Sequence, residues 1–178
     1  MDKAYMCDAS LLRIDLKALH EGESTAVYEL GDAYFEAIEA PDVRKGTLTL
    51  RLVVRRVGDL YELDFHVEGV VRVACDLCLE EMEQPVANDG RLTVRLGDRP
   101  GEEDDMIVVD KEEGTLDAAW YVYELIALAV PMRHVHEPGQ CDPVMTEKLR
   151  RLSAGAHEEG EHAEDPRWAK LRELRTED

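Results

Sequence analysis

The sequence predicts an α+β protein: a twisted antiparallel β-sheet of hairpin or meander type, with a buried helix and C-terminal helices. Three observations carry that expectation. Residues 46–73 alternate apolar and polar with a period of two around Gly58-Asp59, the pattern of a hairpin with one wet face. Residues 116–130 are apolar nearly all round and stop at Pro131, as a core helix does. Asp142-Pro143 and Asp165-Pro166 each put an N-cap acceptor before a proline, which opens a helix.

In chain order, residues 11–19 alternate loosely and read as a first strand, 25–30 as a second, and 31–38 fits strand or helix. In the central hairpin Leu48, Leu50, Leu52 and Val54 face one way, and Thr47, Thr49, Arg51 and Arg55 the other. After the turn Leu63, Phe65, Val67, Val71 and Val73 resume the alternation. Residues 91–96 repeat it and 106–109 form a further short strand, so that the strand set is a meander open to barrel-like closure. Thr115 is the expected N-cap of the core helix, within which Trp120, Tyr121 and Tyr123 read as packing residues. The helix from Pro143 carries Met145, Leu149 and Leu152 as its apolar stripe. The one from Pro166 carries Trp168, Leu171 and Leu174. Domain organisation follows: a single domain over 1–152, a mobile acidic linker over 153–164 without apolar periodicity, and a C-terminal helix within 165–178. An isolated ten-residue helix is marginal in water, so Trp168, Leu171 and Leu174 are expected to dock on the body or on a partner.

The chain has 178 residues and a net charge of −19. A chain so acidic repels nucleic-acid phosphates at long range and suits basic partners. Its charge is nevertheless uneven. Between residues 44 and 57 lie Arg44, Lys45, Arg51, Arg55 and Arg56 and no acid, a candidate contact for RNA or an acidic partner. His66 sits on the polar face of the hairpin and reads as a surface residue. No apolar run approaches the ~18 residues of a membrane helix, and the first residues do not resemble a signal peptide. A cytoplasmic protein with reduced thiols is expected, without a membrane partner or a small-molecule substrate. The sequence contains no nucleophile elbow, P-loop, dinucleotide fingerprint or zincin motif.

Chemistry concentrates in the cysteines. Cys75-Asp76-Leu77-Cys78 is followed 58 residues later by His136-Glu137-Pro138-Gly139-Gln140-Cys141. A two-residue spacer lets one tight turn offer two thiolates to one ion, and Zn²⁺ takes four N or S ligands in a tetrahedron. The Pro138-Gly139 turn brings His136 and Cys141 together. Cys75, Cys78, His136 and Cys141 are thus candidate ligands of one structural zinc. His134 shares a side with His136 in an extended stretch and competes as ligand or supports it from behind; the Pro138-Gly139 turn favours His136. Two other readings stand beside the metal. Buried cysteines are often plain small apolar residues. A CxxC pair can also run thiol–disulfide exchange, although that chemistry expects the motif to open a helix, and here a strand precedes it.

These motifs in order resemble the YceD family. The segment from Val73 through Cys75-Asp76-Leu77-Cys78-Leu79-Glu80 to Val86 is similar to its C-x-R-C-L-E segment, and residues 123–131 to its helix ending in Leu-x-x-Pro. Val135-His136 with Cys141 is similar to its Val-His-x-x-x-x-Cys form. Residues 165–174 resemble its terminal Asp-Pro-Arg-Trp/Phe-x-x-Leu motif. The resemblance implies a non-enzymatic accessory factor that supports accumulation of large-subunit ribosomal RNA. The implied partner is a ribosomal protein or pre-ribosomal particle, with ribosomal RNA touched locally, Trp168 included among the candidate contacts. Leu77 replaces the arginine frequent between the family's cysteines, which removes one phosphate contact. Relatives often carry several cysteines in the C-terminal half, where this chain keeps Cys141 alone.

Overall fold

The computed structural model describes residues 4–7, 12–103 and 106–153. Nine strands and three helices follow one another: β1 (Ala4–Cys7), β2 (Arg13–Asp15), β3 (Gly22–Leu30), α1 (Asp32–Ala37), β4 (Gly46–Val57), β5 (Leu60–Ala74), β6 (Glu81–Gly97), β7 (Gly101–Glu103), β8 (Met106–Asp110), β9 (Thr115–Asp117), α2 (Ala119–Ala129) and α3 (Pro143–Leu152). The α+β expectation holds. Seven strands form one sheet in the order β1-β3-β4-β5-β6-β8-β7, and β2 pairs with β9 separately.

The long hairpin lies where the alternation puts it. Gly58, with φ +62°, and Asp59 connect β4 to β5 in register from Val57↔Leu60 to Gly46↔Val71. Glycine in that conformation at the first turn position suits a two-residue hairpin loop. The meander β3-β4-β5-β6 is antiparallel, but the sheet as a whole is mixed. Between β1 and β3 comes β2 of the small sheet, and between β6 and β8 comes β7, which lies at the far edge beyond β8, so the pairs β1-β3 and β6-β8 run parallel. The strand order has two ends, so among the described residues there is no barrel closure.

The first predicted strand and the start of the core helix differ from the sequence reading. The first strand shortens to Arg13–Asp15 because the Asp15 carboxylate accepts the N–H groups of Lys17 and Ala18 at 3.0 and 3.2 Å, an Asx turn that ends extended structure. The expected helix start at Thr115 is instead β9: Leu116 pairs with Ile14 across the small sheet, and both are buried. The Asp117 carboxylate, not Thr115, accepts the Ala119 N–H at 3.1 Å. Residues 31–38 resolve to a helix that buries Tyr34 and Phe35. Strand β6 also runs through Pro85. There it pairs only with β5, since β8 joins from Thr93 onward, and on an open edge the missing N–H costs no ladder bond.

Helix α2 crosses the inner face of the sheet where Gly90 makes room. A Cβ on Gly90 would stand 2.6 Å from Leu125 Cδ1 and 2.7 Å from the Tyr121 hydroxyl. The ring of Tyr121 packs on Phe65 at 5.1 Å, and Asn88 donates its amide to the Leu125 carbonyl at 2.9 Å. Tyr34 donates to the Ala119 carbonyl at 2.7 Å, and Tyr123 accepts the Asp42 N–H at 3.2 Å. Tyr123 is buried as expected, but Trp120 stands half exposed, its indole N–H bonded to Glu124 at 2.9 Å. The apolar stripe expected on α3 is covered only in part by the described residues: Met145 is half-buried, whereas Leu149 and Leu152 are exposed. The linker beyond Ser153, the Asp165 helix and Trp168 lie outside the described residues.

Gly69 gives a sharp test of the sheet. Its φ is +152°, and a Cβ there would fall 2.3 Å from the Thr47 carbonyl oxygen and 2.6 Å from Leu48 Cα. Backbone atoms cannot swing aside as a side-chain tip can. Gly69→Ala is expected to lower unfolding free energy by about 2–3 kcal/mol in urea titration. Gly31→Ala, with nothing within 4 Å of its Cβ, should lower it by no more than about 1 kcal/mol, the preference of the α1 N-cap for glycine over alanine. Equal effects would contradict this packing.

Candidate metal centre

The β5–β6 hairpin does not end in an ordinary turn. Between Ala74 and Glu81, the last facing pair, residues 75–80 fold into a knuckle. The Leu79 N–H reaches the Cys75 carbonyl at 2.9 Å, the Cys75 N–H reaches the Glu80 carbonyl at 2.9 Å, and the Leu77 N–H points at Cys75 Sγ at 3.4 Å. Leu79 closes the turn in a left-handed conformation, φ +65°, which a glycine adopts without steric penalty. Cys75 and Cys78 are buried.

The second pair arrives from the far side of the core. Helix α2 ends before Pro131, and the chain then runs against the knuckle. The Asp76 N–H donates to the His134 carbonyl at 3.0 Å, and the His134 N–H donates back to the Asp76 carboxylate at 2.8 Å. A turn follows, with the Gln140 N–H on the Glu137 carbonyl at 3.0 Å and Gly139 at φ +88°. It returns Cys141 beside His136. Asp142 then caps α3, accepting the N–H groups of Val144 and Met145 at 3.0 and 3.4 Å, with Pro143 opening the helix.

The four predicted ligands therefore meet. One donor atom from each of Cys75, Cys78, His136 and Cys141 lies within 4.8 Å of all the others, a set that can hold a metal ion. Cys75 Sγ is 3.8 Å from Cys141 Sγ, and His136 Nδ1 is 3.3 Å from Cys78 Sγ and 3.9 Å from Cys141 Sγ. His134 stands outside. Its Nδ1 is held by the Pro131 carbonyl at 3.0 Å and its Nε2 is 3.7 Å from Asp76. Its part is to brace the knuckle through its backbone. Asp76, which the sequence offers only as a spacer, is the other half of that brace.

The thiols are electrostatically unequal. Burial pushes Cys75 up, but the backbone N–H groups of Cys78, His136 and Leu77, with the Cys78 side chain, outweigh it and bring Cys75 down to about 6 from 9.0. Burial raises Cys141 to about 11, helped by hydrogen bonds to and charge on Cys75 and Cys78. One ready thiolate amid further sulfurs would suit capture of a cation, whose charge would favour loss of the remaining thiol protons.

Residues 63–175 match the family model of the large ribosomal RNA subunit accumulation protein YceD. The chain belongs to the YceD family. The match starts inside β5 and spans all four clustered residues. No curated protein and no solved structure gives a significant match.

The basic residues of this YceD protein are placed differently from its cysteines. Arg55 is held between Glu23 at 3.2 Å and Asp64 at 2.8 Å, and Asp64 is further paired with Arg91 at 2.5 Å, which holds its carboxyl below the usual range. Lys45 pairs with Glu81 at 3.3 Å. Arg56 turns inward, donating to the Leu19 carbonyl at 2.6 Å and lying 5.4 Å over the Tyr61 ring. Arg44 donates to the Pro41 carbonyl at 3.2 Å. Arg51 is exposed. The acid-free stretch of sequence is thus supplied with carboxylates by β3, β5 and β6. His66 is half exposed, as expected, and its bond to Asp89 at 2.7 Å raises its pKa.

Two outcomes are expected. His136→Ala should abolish stoichiometric metal binding, measured by elemental analysis, while His134→Ala should retain it; the reverse result would exchange their roles. In metal-free protein, folding favours the Cys75 thiolate and the protonated Cys141. Stability should therefore rise with pH from about 6 to 9.0 and fall between 9.0 and about 11, since the unfolded chain binds more protons in the first window and fewer in the second. Chemical unfolding across this range, with a Cys75→Ser and Cys141→Ser variant as baseline, checks the sign.

Proposed function

We propose that this protein is a non-enzymatic accessory factor that supports accumulation of large-subunit ribosomal RNA, with one structural Zn²⁺ clamping the β5–β6 hairpin to the segment after α2. The observation that carries the zinc reading is the ligand geometry. Zn–S near 2.3 Å and Zn–N near 2.0–2.1 Å require tetrahedral edges of about 3.8 Å between sulfurs and about 3.6 Å between sulfur and nitrogen. The distances of 3.8, 3.3 and 3.9 Å lie close to these values. Three thiolates and one imidazole also match zinc's ligand preference. Four protein donors leave no position for a water or substrate, which favours a structural over a catalytic ion.

The biological role rests on family membership. A net charge of −19 favours a basic partner, either a ribosomal protein or a pre-ribosomal particle. No helix among the described residues is long and apolar enough to cross a membrane, and a thiolate cluster of this kind is at home in the reducing cytoplasm. Thiol–disulfide exchange is the rival that the low pKa of Cys75 favours. Its complete burial, at 0% exposure, opposes it, because an exchanging sulfur must be reached in line by its partner.

Deleting the gene should lower large-subunit relative to small-subunit ribosomal RNA. Wild-type protein should restore the ratio, and a Cys75→Ala and Cys78→Ala variant should restore it poorly. An unchanged ratio in the deletion strain would sink the proposed role. Purified protein should carry about one zinc, and added chelator should lower its melting temperature.

A further inference from the structure

The residue that closes the knuckle carries backbone strain without gaining burial. Leu79 holds φ +65°, a conformation that glycine takes freely and a side chain with a Cβ resists. It is nevertheless 69% exposed, so its apolar side chain does little inside the protein. A strained apolar residue kept at the surface points to a use for that side chain outside the chain itself.

Leu79 stands in a groove of about 700 Å³ with three walls. The knuckle forms one wall, with Ala74, Asp76 and Leu79; the loop from Pro41 to Arg44 forms the second; the end of α2, at Ala127 and Val130, with His134 beyond it, forms the third. The reciprocal bonds between Asp76 and His134, at 3.0 and 2.8 Å, join the first wall to the third. The Tyr123 hydroxyl of α2 accepts the Asp42 N–H at 3.2 Å and so ties the second wall to the third. A groove whose walls are bonded to one another needs little ordering when an occupant enters.

Its charge is uneven. Asp42 and Asp76 line it beside one base, Arg44, whose guanidinium is turned onto the Pro41 carbonyl at 3.2 Å. Arg44 also borders a neighbouring hollow of about 300 Å³, which Glu36 and Glu39 line. Helix α2 has no basic residue in its last turn, so no side chain of that turn offsets the partial negative charge of its end. Four carboxylates and a helix C-terminus against one guanidinium favour a cationic occupant and repel phosphates. Leu79, Val73, Ala127 and Val130 favour an aliphatic group between the cations.

We propose that this groove binds a basic peptide segment of a partner protein, one aliphatic side chain packing on Leu79 while flanking lysines or arginines meet Asp42, Glu36 and Glu39. This rests on the reading above of a basic protein partner and locates its contact. The brace between Asp76 and His134 then serves two purposes, since it assembles the Cys/His cluster on one side and closes the peptide groove on the other.

The test uses zinc-loaded full-length protein and a fluorescein-labelled peptide of about 12 residues in which lysines flank two central leucines. Anisotropy should show saturable binding that weakens with salt, and a peptide with serines in place of the leucines should bind about tenfold more weakly. Leu79→Gly should weaken the leucine peptide by about tenfold, with zinc content unchanged and the melting temperature equal or higher, because glycine relieves the backbone. Asp42→Lys should weaken it as well, and serves if the first variant is unstable. Leu77→Ser, in a separate groove beside His136, should leave it unaltered. Absence of peptide binding by the wild type, equal binding of the serine peptide, or loss only with Leu77→Ser would overturn the proposal. So would a dimer in sedimentation that Leu79→Gly makes monomeric, or binding of a labelled single-stranded RNA that Leu79→Gly abolishes. In the deletion strain Leu79→Gly should restore the ribosomal RNA ratio poorly; full restoration would remove this inference and leave the proposed function standing. A deletion without effect on the ratio, beside intact peptide binding, would remove that function and leave the groove.

Discussion

The reciprocal pair of hydrogen bonds between Asp76 and His134 is the contact on which the functional part of the molecule depends. It joins a hairpin tip to a segment 58 residues away and places it so that two cysteines from one side meet a histidine and a cysteine from the other. Neither segment has regular structure of its own at that point. Each is bonded instead to the other, and each closely follows a rigid element: β5 ends at Ala74, just before Asp76, and α2 ends at Ala129, one short stretch before His134. Side chains that could hold a metal ion are thus brought together by two rigid elements, so little loss of chain entropy would oppose its capture.

The core explains why those elements are rigid. Gly90 lets α2 approach the sheet closely enough for Tyr121 to lie on Phe65, and Asn88, Tyr34 and Tyr123 tie the helix and its flanks by hydrogen bonds from otherwise apolar surroundings. Polar groups buried with partners specify one arrangement of helix on sheet. That arrangement sets the direction in which the chain leaves α2, and hence where His136 and Cys141 arrive. The strained Leu79 belongs to the same logic. The knuckle needs a left-handed residue to close, and the surrounding bonds hold a leucine there.

Charge is organised by tertiary neighbours rather than by sequence neighbours. The acid-free run 44–57 looks like a cationic face in one dimension, but antiparallel pairing sets Glu23, Asp64 and Glu81 beside Arg55 and Lys45. In α3 the pairing is local instead: Arg150 and Arg151 both meet Glu147 of their own helix.

The amino-acid sequence by itself determined the α+β class, the β4–β5 hairpin and its turn, the capped start of α3 and the four members of the Cys/His cluster. Each is written in local terms: a period of two, a glycine at a turn, an Asp-Pro pair, a ligand spacing. Tertiary structure alone decided the rest. Thr115 and Leu116 pair with β2 although their composition suits the helix that follows, because Ile14 offers Leu116 an apolar partner on a strand a hundred residues earlier. The parallel pairing at both flanks of the sheet depends on where the chain re-enters it, which no periodicity records. His134 and His136 share one side of an extended stretch, and although the turn after His136 favours it as the ligand, what His134 does instead is not written locally. In the folded protein Asp76 and Pro131 hold His134, while the turn at Gly139 brings Cys141 to His136.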